Sequence, residues 1–427
     1  MMRKPALPDP QTGRLLAWAL YDWANSAYAA LIQTFVFATY FTSQVAKDST
    51  IGTTQWGNAI GIAGLLIALL GPLLGAAADQ GGPRQGLLRA LTGLAVLTTA
   101  LLWLVRPTTD DVTLALLLVG IGTVAFELAG VLYNALLPAL APRSRIGRWS
   151  GWGWGLGYVG GLLCLVVALF GFVLDDAWLP LPREDAEHVR ATFLLTAVWF
   201  LVFSLPLLSL RLDPPDGRKP LLRAARDGLQ QLAGTLRRVR EYATLVRFLI
   251  ARMLYVDGLA TLFAFGGVYA AGTFGMSEQQ VLLFGILLNV TAAIGAVGFA
   301  WLDDHSGPRA TMLLALTGLI LLGTSVLLVE SRTAFWVLGG ALGLFVGPAQ
   351  AAGRSYLAHA APPHLRAELF GLFALSGKAT AFAGPLLVGW VTWLAGSQRI
   401  GMATIVVFFL LGLLMLLTVP EAPRERD

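Results

Sequence analysis

The sequence predicts an all-α integral membrane protein: twelve transmembrane helices in two pseudo-symmetric six-helix halves. Three observations lead there. The 427 residues are 56% hydrophobic and only 13% charged, with a mean hydropathy of +0.69, which is too little polar side chain to clothe a water-soluble surface. Apolar runs of spanning length, roughly 20 residues each, recur along the whole chain, and twelve of them occupy about 240 positions. Matching features also return at a constant offset of roughly 220 residues, the mark of an internal repeat.

The first run, near 15 to 41, follows a short basic segment containing Arg3, Lys4 and Arg14. It is too long for a signal-peptide core and has no small-residue cleavage pattern, so it reads as a retained helix. Five more runs, bounded by Gly, Pro and charge, fall near 57 to 77, 87 to 105, 113 to 140, 149 to 171 and 191 to 210. The second half repeats the rhythm near 245 to 272, 279 to 301, 310 to 329, 334 to 360, 368 to 395 and 400 to 420. The expected organisation is therefore an N-terminal bundle over 1–210, a basic linker over 211–244 and a C-terminal bundle over 245–427. In the linker, Leu221, Leu222, Leu229, Leu232, Leu236 and Val239 have helical spacing with arginines between them. An amphipathic helix lying on the membrane and a solvated connector fit that pattern equally well.

The net charge of +5 would suit nucleic acid, but the basic residues sit mostly in short segments between apolar runs. With both termini in the cytoplasm, about 20 positive residues lie inside and about 6 outside, the bias expected of a protein in a bacterial-type plasma membrane. The bilayer is then the predicted large partner, with no nucleic acid, and the chain is expected to act as a monomer. A single cysteine, Cys164, excludes an intrachain disulfide or a cysteine metal cluster. His188, His305, His359 and His364 lack zinc spacing, and there is no nucleophile elbow. Gly371 to Lys378 fails as a phosphate loop, being one residue too long with Ala379 after the lysine. No enzyme activity, cofactor or metal is predicted.

Three features carry the repeat. Asp79-Gln-Gly-Gly82-Pro83-Arg84 after the second run returns as Asp304-His-Ser-Gly307-Pro308-Arg309 after the eighth. Tyr21-Asp22 has a looser counterpart in Tyr255-Val-Asp257. The fourth and tenth runs both end at a proline (Pro142, Pro362), a basic residue and then a glycine-rich helix. In the loop motif Gly supplies backbone freedom, Pro starts the next helix and Asp is placed to cap amides of that helix.

Gly75-x-x-x-Asp79-x-x-Gly82-x-Arg84 resembles the loop signature of the major facilitator superfamily, although the second copy has Ala300 in place of the first glycine. Leu20 to Ala27 (LYDWANSA), Gly151 to Gly161 (GWGWGLGYVGG), Leu369-Phe370-Gly371-Leu372, Ser376 to Thr380 and Gly384-Pro385 together resemble its vacuole-effluxer branch, which includes a fungal vacuolar amino-acid effluxer. The resemblance implies a twelve-helix transporter with cytoplasmic termini, and a cytoplasmic gate latched by Asp79, Gly82, Arg84, Asp304, Gly307 and Arg309. It suggests efflux of amino acids or similar small solutes.

Charge inside hydrocarbon costs about 2.5–3.5 kcal/mol per residue on insertion scales, so each intramembrane ionisable group needs a reason. Asp22, Asn25, Ala29 and Gln33 share a stripe of the first run. Glu127 shares a face with Thr123, Gly130 and Asn134 in the middle of the fourth and is the leading proton-site candidate. Asp257 and Thr261 share a face of the seventh, whereas Arg252 is expected to snorkel to the membrane edge. Lys378, the central lysine of the eleventh run, would neutralise one of the acids or bind a substrate carboxylate. Gln350 and Arg354 share a face of the tenth, with Arg354 serving either a gate or a ligand. Trp152 and Trp154 are either cavity aromatics or, the preferred reading, interfacial anchors near Arg148. Two halves of this kind enclose a cavity. The predicted function is proton-coupled secondary transport of a small polar solute by alternating access. A sugar or drug carrier, a receptor and a scramblase are the alternatives.

Overall fold

The computed structural model describes residues 10–47, 49–174, 176–212, 219–237, 241–276, 278–377, 380 and 383–422. Helix α1 (Pro10–Ala27) runs directly into a wider-wound i→i+5 segment, Tyr28–Phe35, and a further turn, Phe37–Tyr40. It is followed by α2 (Ser49–Asp79), α3 (Arg84–Leu101), α4 (Val112–Leu140), α5 (Ile146–Ala168) and α6 (Glu187–Ser209). Helix α7 (Leu221–Arg237) belongs to the linker. The second half comprises α8 (Ala243–Phe274), α9 (Glu278–Gly298) with its continuation Ala300–Ser306, α10 (Pro308–Leu328), α11 (Arg332–Ala360), α12 (Arg366–Ser376), α13 (Ala383–Ala395) and α14 (Gln398–Leu417).

Among the described residues, ten helices are long and apolar enough to cross a bilayer. The other two predicted spans are helical but interrupted. The first is α1 with its wide-wound extension, and the eleventh is α12 followed by α13. Lys378 falls in the interval between those two and lies outside the described residues. The outer surface suits lipid: Leu65, Leu321 and Leu328 are 62%, 63% and 75% exposed, as expected of helices that are apolar all round. Inside the N-terminal half, Tyr133 stacks on both Trp18 and Tyr21, with ring centroids 4.8 and 4.7 Å apart. In the second half Phe335 packs on Phe274 and Phe284.

The halves meet along seams of small residues. A Cβ on Gly75 of α2 would overlap the Ala367 carbonyl, and one on Gly371 of α12 would overlap the backbone of Gly71 and Pro72. The related seam sets Gly147, Gly151 and Gly155 of α5 against Asp303, Ala296 and Val297 of α9 and its continuation. Backbones approach this closely only where side chains are missing. Both seams lie at the end of the bundle that carries α7. Helix α2 is buried at Gly71, Pro72 and Gly75 to Ala78 but exposed at Gly61, Ile62, Leu65, Leu66, Leu69 and Leu70, so the halves touch at the linker end and α2 loses its cover beyond it.

Helix α7 docks on the foot of α2, with Gly228 against the backbone of Ala76 and Ala77 and Ala224 against Gly82. Gln231 bonds Gln80 on one side and Glu368 of α12 on the other. The buried face is thus Ala224–Gly228–Gln231, at i, i+4 and i+7, while Leu229 from the apolar pattern is 55% exposed. Small residues won the packing face because only they let α7 reach the α2 backbone.

Candidate functional site

The contact between the halves is organised by Arg354, which α11 carries buried between them near its linker-side end, its side chain only 3% exposed. Nη1 donates to Asp22 Oδ2 of α1 at 2.8 Å and to Asn134 Oδ1 of α4 at 3.3 Å. Nε donates to Ser150 Oγ at 3.0 Å and Nη2 to the Ser150 carbonyl at 2.6 Å, both on α5. The guanidinium also lies over the Trp18 and Trp154 rings, 4.8 and 5.7 Å from their centroids. One arginine of the second half thus ties three helices of the first. A buried cation needs this saturation by acceptors, a counter-charge and π faces. The absence of a side chain at Gly153 makes room, since a Cβ there would crowd Asp22 Oδ2 and Arg354 Nη2.

One turn along α11, Gln350 donates to the Tyr158 hydroxyl at 3.0 Å, and Tyr158 packs against Trp154. Trp154 therefore packs inside the arginine cluster, the first of its two expected placements, and not as an interfacial anchor. Trp152 packs edge-on against Trp149 and Trp301.

The remaining predicted residues divide into neighbourhoods. Asn134 joins Asp22 at the arginine, whereas Gln33 reaches Thr123 at 3.5 Å, beside the Tyr28 hydroxyl at 3.2 Å from the same threonine. The wide-wound turn after Ala27 separates Gln33 from the Asp22 neighbourhood. Asn25 is half-buried on α1. Glu127 is half-buried on α4, and its charge is felt by Arg252 of α8. Arg252 does not snorkel. It lies over the Phe373 ring at 3.4 Å and donates to the Phe373 carbonyl at 2.6 Å and to Ser376 Oγ at 2.8 Å. A cation at the last turn of α12 satisfies carbonyls that the interrupted helix leaves without amides. Asp257 is 2% exposed. Thr261 donates to its backbone carbonyl at 2.7 Å, and Thr380, within the interruption, lies near its carboxyl.

The two loop motifs do more than start the next helix. Asp79 Oδ1 pairs with Arg84 at 3.0 Å, while Oδ2 accepts from the Glu368 amide at 2.9 Å. Asp304 pairs with Arg148 at 3.2 Å and accepts from the Arg148 amide at 2.9 Å. Each acid thus caps the first turn of a helix in the opposite half, α12 and α5 respectively, not the helix that follows it in sequence. Negative charge at an N-terminus is favourable through exposed amides and helix dipole alike. Gly82 donates its amide to the Ala77 carbonyl at 3.1 Å, and the left-handed conformation the turns require falls on Gly81 (φ 87°) and Gly307 (φ 95°). Arg309 does not mirror Arg84: it donates to the Leu417 carbonyl at 3.0 Å and, through its amide, to Glu421 at 3.2 Å.

Helices in two halves, a buried charged cluster between them and paired loop caps at one end define a transporter of the major facilitator type. The fold matches that of the transporter FucP in its outward conformation with a TM-score of 0.76 at 14% identity, over 97% of this chain and 99% of that one. It likewise matches the human organic anion transporter MFSD10, with a TM-score of 0.75 at 20% identity over 96% and 100% of the two chains. Within that fold, the family described as "Vacuole effluxer Atg22 like" matches residues 58–148 and 143–427, and the chain belongs to it. The MFS-type transporter YxiO of Bacillus subtilis (strain 168) is 27% identical over 95% of this chain and 94% of its own. Autophagy-related protein 22-1 of Penicillium rubens is 25% identical over 66% of this chain, and the match spans only 50% of the fungal protein.

Proposed function

We propose that this transporter exports amino acids or similar small zwitterionic metabolites in exchange for protons. In this reading the bundles 1–210 and 245–427 rock about the linker 211–244, with both termini in the cytoplasm of a plasma membrane. The observation that carries it is the Arg354–Asp22 pair, 2.8 Å long and set between the halves. Neutralising the Asp22 carboxylate would remove the one charge-assisted bond of the cluster and weaken this cross-half tie. Glu127 and Asp257 are the further acids through which a proton would act, and Lys378 is a cation for them or for a substrate carboxylate. The family's description as effluxers supports the outward direction.

Proteoliposomes test the coupling. A pH gradient should drive amino-acid flux in the wild type, and Asp22→Asn, Glu127→Gln or Asp257→Asn should uncouple it. If all three variants keep gradient-driven transport, the proton assignment is wrong. A second reading, sugar transport, is favoured by one observation, the Trp154–Tyr158–Gln350 wall, since aromatic faces and amides suit hydroxylated rings. Competition of sugars against amino-acid flux separates the two.

A further inference from the structure

We propose that Asp257, Thr261 and Thr380 form a binding site for a small monovalent cation, Na+, which serves as a second coupling ion beside the proton. Asp257 is 2% exposed, and its Oδ1 has no hydrogen-bond partner among the described residues. The Thr380 hydroxyl lies near this carboxyl, and it too is buried without a partner in hydrogen-bond geometry. Thr261, one turn along α8 and fully buried, donates its proton to the Asp257 carbonyl, which leaves its oxygen lone pairs as acceptors. Gly384 of α13 keeps the space beside that oxygen open, since a Cβ there would overlap Thr261 Oγ1. Three oxygens thus stand together, one of them anionic, with nothing donating to them.

A carboxylate this deeply buried needs a counter-charge or an ion. Its counterpart in the repeat has one built in, because Asp22 pairs with Arg354. Among the described residues no lysine or arginine pairs with Asp257. Arg252, five positions back on α8, turns instead to the end of α12 and donates to Phe373 and Ser376. Carboxylate and hydroxyl oxygens are hard ligands, which suit hard cations. With a single carboxylate, a monovalent ion leaves the site neutral, whereas a divalent ion would bury a net positive charge. Discontinuous spans hold ions in this manner in other transporter folds, and here the eleventh span is helical to Ser376 and again from Ala383, with Thr380 between. The proposal rests on the transport reading only in calling the ion a coupling ion. A proton and Na+ are alternative occupants of one carboxylate, so Asp257 keeps the place given it there.

Binding of radioactive Na+ to purified full-length protein in detergent, at one fixed neutral pH with no gradient and no solute, tests the site. The wild type should bind saturably. Asp257→Asn should abolish binding, and Thr380→Val should raise the half-saturating concentration by about tenfold, the scale of one polar contact to a charged group. Asp227→Asn, on the linker helix, should bind as the wild type does. Thermal unfolding of the same samples guards against a variant that fails to fold: Na+ should raise the wild-type Tm above its value in choline at equal ionic strength and leave the Tm of Asp257→Asn unmoved. A wild type that binds no Na+ and melts alike in both salts overturns the proposal, as does an Asp257→Asn variant that binds Na+ like the wild type. Flux is scored separately: Na+ binding without amino-acid transport in proteoliposomes would sink the transport reading and leave the site standing, and proton-driven flux without Na+ binding would do the reverse.

Discussion

Cutting the Arg354–Asp22 pair from either side should give unequal losses. Arg354→Gln leaves the Asp22 carboxylate, 14% exposed, without its cation, and stranding a half of a buried pair costs about 3–5 kcal/mol. Slight exposure places this case near the lower figure. Asp22→Asn leaves the guanidinium with the Ser150 carbonyl and hydroxyl, Asn134 and two indole faces, so only the charge-assisted bond is lost, at about 2 kcal/mol. The double variant has no stranded charge and should recover about 2 kcal/mol relative to the sum. Equilibrium unfolding in mixed micelles, run as a double-mutant cycle, measures this directly. If the two losses add to within about 0.5 kcal/mol, the residues are not energetically coupled and the central role of the pair falls. Arg354→Lys should behave like the glutamine variant, because one ammonium cannot span Asp22, Asn134 and Ser150 as the planar fork does.

Gly75→Leu should force the halves apart at the linker end, seen as faster labelling of cysteines placed along α12, because the added side chain meets the Ala367 backbone and cannot displace it. Gly130→Ala, with open space around it, is the neutral control, and equal labelling in the two would contradict the seam. Asp79→Ala and Asp304→Ala should each cost about 1 kcal/mol as lost helix caps and weaken closure together more than either alone. Asp227 on α7 is held below the usual carboxylate range by its hydrogen bond to Lys219, 2.7 Å away. A lowered folded value means the contribution is full above about pH 4 and fades as pH falls further, so proteolysis of the linker should rise only in acid and should not change between pH 6 and 8.

The halves, the spans and the loop acids were legible in the sequence because hydrophobic length and repetition are local properties of the chain. Asp22 and Asn134 were picked out by their stripes, yet their partner Arg354, 332 and 220 positions away, remained undecided between gate and ligand. Helical periodicity tells which residues share a face but not how deep that face sits or what stands opposite. The same blindness sent Arg252 to the membrane edge, since the interruption of the eleventh span that it caps has no signature beyond Ser376-Gly377. In the linker, counting leucines favoured the exposed face, whereas Ala224 and Gly228 decided the docking. Ser150 was missed altogether. Its clue was a serine beside a glycine stripe, where a small hydroxyl can lie against a foreign helix.

The seams at Gly71, Gly75, Gly371, Gly151 and Gly155 bear on how readily the machine cycles. A gate closed by lysines or methionines would freeze about 1.5–2 kcal/mol of rotamer freedom per side chain at every closure and release it at every opening. Glycine and alanine have almost none to lose. Backbone laid on backbone can therefore seal against water while leaving the entropies of the two states nearly matched, so that a single charge pair and a few caps suffice to set their ratio.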